Sequence, residues 1–269
     1  MRPLPPPPWL LNYAGIIPSI ITSIRQLPAG VTPTLESIPQ LNTSMMESEP
    51  LSQLIRDMQE SDFKLWGFVI FRSVYTDESQ PQWKSYIEFF KAAVEDNLKF
   101  YELSTLLMPH LEWTIIEDRE ILNNASKQEV RERFSQWTAE RSVERDGPGA
   151  EEPFIEKRPR FQYCIYVDQK CLDTFDKYKA WAESGAEGIK QHVVCVILDK
   201  DCKPTGRGRR GFPRIENCTR HDTGWMYTSV DCVSEVYNRL SFEDLAEHDY
   251  RRPPEVWPSL AKRFVMPVD

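Results

Sequence analysis

KLWGFVIF, residues Lys64–Phe71, is the stretch on which the reading of the chain turns. Its β-branched and aromatic content predicts a strand running on through Arg72 towards Tyr75. Beyond it, Trp83, Tyr86, Ile87, Phe90, Val94, Leu98 and Tyr101 recur at helical spacing, and Pro81 suits a first turn. LEWTIIED (Leu111–Asp118) predicts a second strand, so the first half of the domain reads β-α-β.

The second half repeats the order. A helix is predicted from Ser126, where Ser126 and Glu129 have the spacing of a capping box and Val130, Phe134 and Trp137 form an apolar stripe. ERDGPGAEEPFIEKRPR, broken by Pro and Gly, reads as a charged, mobile loop. RFQYCIYVD then predicts a strand, and Asp168 a cap for a helix carrying Leu172, Phe175 and Tyr178. HVVCVIL predicts a strand buried on both faces. GWMYTSV and a helix through Val233, Val236, Tyr237 and Leu240 close the pattern before the prolines of YRRPP. The expected class is α+β: a ferredoxin-like sandwich of tandem βαβ units with an inserted helix and a C-terminal β-α extension. An open α/β sheet with crossovers is the rival. Residues 1–60, rich in Pro, Ser and Thr, are expected to be a poorly ordered extension, and 61–269 a single domain.

KLWGFVIF also fits six of the eight positions of the RNP1 pattern of RNA-recognition motifs, failing at Leu65 and Trp66. Base stacking would need Trp66 and Phe68 to face solvent. In that architecture RNP1 is the third strand, however, and here it is the first. A net charge of −8 also opposes phosphate-driven affinity. Core packing is the reading preferred.

The remaining chemistry-bearing features are scattered. KPTGRGRRGFPR holds Lys203, Arg207, Arg209, Arg210 and Arg214 without an acid, a composition suited to a small anionic ligand or an acidic partner. It has neither Walker nor G-x-G-x-x-G spacing, and no cofactor is expected. Asp118, Asp168 and Asp199 each end an apolar strand, where a carboxylate either caps the next helix or lines a site. Arg72 and Tyr75, leaving the first strand, are the polar groups expected nearest any pocket. His192, Cys195, Cys218 and His221 imitate a zinc set, but residues three apart in a strand point to opposite faces, so no metal is expected. Glu243, Asp244 and Glu247 in FEDLAE read as a solvated acidic helix turn. The six cysteines form no C-x-x-C pair and several lie in apolar runs, which points to a reducing, cytoplasmic setting. The apolar stretch Trp9–Ile24 carries Asn12 and Pro18 and is too short for a membrane span.

Taken together, WGFVIFRSVY, Trp83, EWTIIEDREILNNASKQEVRERFSQW, RFQYCIYVD, GWM at Gly224–Met226 and YRRPP resemble a group of uncharacterised proteins from filamentous fungi. The resemblance spans roughly residues 63–256 and implies a shared fold and a fungal source, with no activity attached. The functional expectation is a ligand- or partner-binding module. The alternatives are an accessory enzyme of fungal specialised metabolism, with Arg72, Tyr75, Asp118 and Asp168 lining a polar pocket, or nucleic-acid binding through the arginine loop.

Overall fold

A computed structural model describes residues 19–41, 50–186, 190–202, 211–216, 218–247, 250–258 and 266. Its centre is the predicted first strand, β1 (Val69–Arg72), buried along its whole length. β1 lies between β2 (Ile115–Ile116) and β3 (Tyr163–Val167) and is parallel to both. β4 (Val194–Asp199), β5 (Trp225–Ser229) and β6 (Val256–Trp257) complete a six-stranded sheet of order β2-β1-β3-β4-β5-β6.

The helices are α1 (Ser19–Arg25), α2 (Ser52–Glu60), α3 (Ser79–Phe100), α6 (Lys127–Ala139), α9 (Gln169–Glu183) and α10 (Val233–Leu240). Four single turns lie between them: α4 (Ser104–Leu107), α5 (Arg119–Leu122), α7 (Val143–Asp146) and α8 (Pro159–Gln162). Phe68 packs edge-on against Tyr237 of α10, whereas Phe71 packs edge-on against Phe134 of α6. Residues three apart in extended chain point to opposite faces, so helices cover both sides of the sheet.

The mixed α+β class is as expected, but the strand pairing departs from tandem βαβ units. β1-α3-β2 is a parallel βαβ unit, while β3 and β4, on either side of α9, pair antiparallel. β4 and β5 are likewise antiparallel, and only β5-α10-β6 returns to parallel pairing. The pairing therefore does not carry the finer ferredoxin-like expectation. Helical periodicity shows where a crossover lies, not the direction in which the chain re-enters the sheet.

Two further expectations need correction. Residues 1–60 do not stand apart where they are described: Ile20, Leu35, Ile38, Leu41 and Ile55 belong to the main core. Asn238 of α10 also accepts the Leu54 backbone N–H at 3.0 Å. The charged loop over 144–160 is anchored as well, with Ala150 and Ile155 packed on Phe63 and Phe161 in a small second core. Gly149 makes this approach possible, since a Cβ there would lie 2.2 Å from the Phe63 nitrogen.

Trp66 and Phe68 are 1% and 3% exposed, which rules out base stacking from this strand. The Trp66 indole donates to the Leu107 carbonyl at 2.9 Å. Between them, Gly67 adopts φ +109°, and a Cβ there would meet the Glu112 carbonyl oxygen at 2.7 Å. The close approach of β1 to the chain entering β2 thus requires glycine.

Candidate functional site

The sequence pointed first to the ends of the parallel strands, where it placed Arg72, Tyr75, Asp118 and Asp168. Arg72 is the last residue of β1 and is 1% exposed. Its guanidinium donates to the Val74 carbonyl and to Gln80 Oε1, both at 2.8 Å, and to Glu117 Oε2 at 3.2 Å. It lies over the rings of Tyr75 (4.4 Å) and Trp83 (5.3 Å). Glu117 also accepts the Trp83 indole N–H at 2.8 Å. The Tyr75 hydroxyl accepts the Asp118 backbone N–H at 2.8 Å, and burial raises its pKa. Asp118 caps α5 through the Glu120 and Ile121 amides, and Asp168 caps α9 through that of Cys171.

These groups are engaged mainly by neighbouring residues of the fold. The Ser73 hydroxyl donates to the Val167 carbonyl, joining the ends of β1 and β3, and the Ser73 carbonyl accepts from Asn124. Arg72, Tyr75 and Asp118 do converge, as an enzyme would need. What they form is a cluster tied to the surrounding chain by Val74, Gln80, Glu117 and the α5 amides, with Asp168 kept apart on the N-terminus of α9.

Asp199 is half-buried at the end of β4, and desolvation there raises its pKa. Its backbone carbonyl and that of Gly224 accept from Arg131 of α6, at 2.9 and 3.0 Å. Arg131 thereby clamps the base of the long β4–β5 connection, which carries the arginine-rich segment. Arg207, Arg209 and Arg210 lie outside the described residues. The flank beyond them is well tied: Phe212 N–H donates to the Thr219 carbonyl, and Arg252 donates to the carbonyls of Pro213 (2.7 Å) and Arg220 (3.1 Å). Lys127 bonds Glu216 and sits 4.1 Å from the Trp225 ring. Among the described residues no group of three or more His, Cys, Asp or Glu side chains is placed to hold a metal ion. No helix among them is long and apolar enough to cross a membrane.

An open cleft is found elsewhere, against the far edge of the sheet. Its floor comes from buried side chains: Met226 of β5, Val236 and Leu240 of α10, then Leu245, Tyr250 and Trp257. Glu243, Asp244 and Glu247 line its mouth with Arg239, which pairs with Glu243 at 3.4 Å, and the hollow itself holds about 20 Å³. FEDLAE is not a helix turn: α10 ends at Leu240, and the acidic residues lie in turns that follow it. Phe242 beside them is 55% exposed. Sequence reading missed the cleft because it is assembled from β5, α10 and the segment through Trp257. The only signals were FEDLAE and an aromatic following YRRPP.

Comparison with protein-family models, with curated proteins and with solved structures found no match to this chain.

Proposed function

We propose that the protein is a partner-binding module and that the cleft beside α10 is its binding surface. The observation carrying this reading is the contrast between two sets of polar groups. Those at the strand ends are held by bonds within the fold, whereas Glu243, Asp244 and Glu247 form a net acidic rim, with Arg239, around a hollow whose floor is the buried Leu240, Leu245, Tyr250 and Trp257. The rim favours a cationic group, such as an arginine or lysine side chain of a peptide. The same reading takes the chain as a cytoplasmic member of the filamentous-fungal group it resembles, on the motifs quoted above and on six free cysteines.

A second reading is binding of a small anion, an acidic partner or a nucleic acid through the arginine loop. It is favoured by the firm anchoring of the loop's base by Arg131, Lys127 and Arg252. One experiment separates the two: calorimetric titration with tetra-arginine and with tetra-glutamate, using wild type and a Glu243→Lys/Asp244→Lys/Glu247→Lys variant. The cleft reading expects tetra-arginine to bind wild type and not the variant. Binding of tetra-glutamate alone supports the loop, and unchanged tetra-arginine binding by the variant excludes the cleft.

A further inference from the structure

α10 supplies one wall of the cleft, and a closed polar ring seats its first turn on α3. Asn97 of α3 directs its amide nitrogen at two acceptors, Glu235 Oε1 at 2.6 Å and the Asp231 carbonyl at 3.2 Å. That fixes the amide orientation, so Asn97 Oδ1 faces the Ser234 hydroxyl, with which it bonds. An amide oxygen has no hydrogen, and Ser234 must donate its only one to Asn97. Ser234 Oγ also lies 3.2 Å from Glu235 Oε2. Two oxygens at that distance form a bond only if one of them carries a hydrogen, and the hydroxyl has none left. A proton on Glu235 completes the ring, while Tyr101 donates to Glu235 Oε1 at 3.1 Å.

We propose that Glu235 seats α10 on α3 in its protonated form, and that losing this proton loosens the α10 wall of the cleft. The ring is a pH-sensitive latch. Without the proton, either Ser234 abandons Asn97 or a carboxylate oxygen faces a bare hydroxyl oxygen, and a charge is left in a site that burial disfavours.

Among the described residues, no cationic side chain bonds Glu235. Asp231 is paired with Lys190 at 3.4 Å. On α2, which also packs on α10, Arg56 pairs with Glu60 and Asp57 with Arg158. Next to Tyr101, Glu102 is bonded by Arg25. The thiol of Cys232 is pushed up first by burial and then by Glu235 itself.

Burial accordingly pushes the Glu235 carboxyl from its usual 4.5 up to about 7, against the pull of the Asn97 and Tyr101 bonds. A group raised in this way contributes its full stability below the unfolded-chain value and loses it as pH rises through the folded value.

The test compares wild type with Glu235→Gln, whose amide can donate to Ser234 and accept from Asn97 and Tyr101 at every pH. The unfolding constant of wild type relative to the variant is expected to rise about tenfold per pH unit between roughly 5 and 7, then level off. Exchange of the Tyr237, Asn238 and Leu240 amides should accelerate in wild type over the same range. Parallel pH profiles, or a Gln variant destabilised equally at all pH values, overturn the latch. Should the variant fail to fold, carbon-13 titration of the Glu235 carboxyl in wild type decides. A midpoint near 7 supports the latch, and one near 4.5 overturns it. None of these readouts depends on binding at the cleft.

Discussion

Replacing Arg72 by Met tests whether the strand-end cluster is structural. The guanidinium makes three well-formed bonds, and hydrogen bonds to a charged group are worth about 1.5–3 kcal/mol each. Most of that gross value returns on mutation, because Gln80 is exposed and Glu117 is 43% exposed, so both rehydrate. The buried Val74 carbonyl keeps the Ser79 hydroxyl at 3.3 Å. Met retains the packing of the aliphatic stem and loses the attraction to the Tyr75 and Trp83 rings, about 0.5–1 kcal/mol each. The net loss is therefore about 3 kcal/mol, at the low end for breaking a buried ion pair, because its partner is half in water. Lys keeps the charge but not the fork and should cost about half as much. Urea unfolding measures this as a lower midpoint at unchanged slope. A double-mutant cycle with Glu117→Gln should give a coupling of about 1 kcal/mol. A stability loss below about 1 kcal/mol, together with lost ligand binding, would refute the reasoning and return the cluster to the status of an active site.

Other consequences are equally concrete. Gly67→Ala forces a Cβ to 2.7 Å from the Glu112 carbonyl oxygen at a φ that side chains resist, and should destabilise by about 3 kcal/mol in a thermal melt. Five of the six cysteines are buried, and the thiol of Cys202 is pushed up to about 12, chiefly by burial. A thiol reagent at neutral pH should label folded protein slowly and at Cys202 first, then all six on unfolding. Rapid labelling of several thiols in the folded state contradicts that packing.

The parts of the fold that were legible are those set by local chemistry. The apolar run of β1, the Trp83–Leu98 stripe, the Ser126–Glu129 capping box and the Asp168 cap each follow from neighbours within a few residues, and each is present. Non-local features were not legible. Whether β4 pairs with β3 parallel or antiparallel depends on how the chain returns from α9. The two-residue β6 is too short to show alternation after the double proline. Leu35, Ile38 and Leu41 enter the core singly from irregular chain, and Ile20 and Ile21 from the short helix α1, which leaves little period to detect. Arg72 and Tyr75 could be picked out as polar groups at a strand end. That they are locked depends on Gln80, Glu117 and Asp118. Glu235 has the sequence signature of an ordinary first-turn acid, and only its contact with Asn97, on another helix, gives it a different character.

The central claim is that binding takes place at the α10 cleft and not at the strand ends, and a hydrogen-exchange footprint of the full chain with tetra-arginine tests it most directly. Protection is expected over Leu240–Trp257, with Arg72–Gln80 and Glu117–Leu122 unchanged. Protection at the strand ends, or nowhere, contradicts the account.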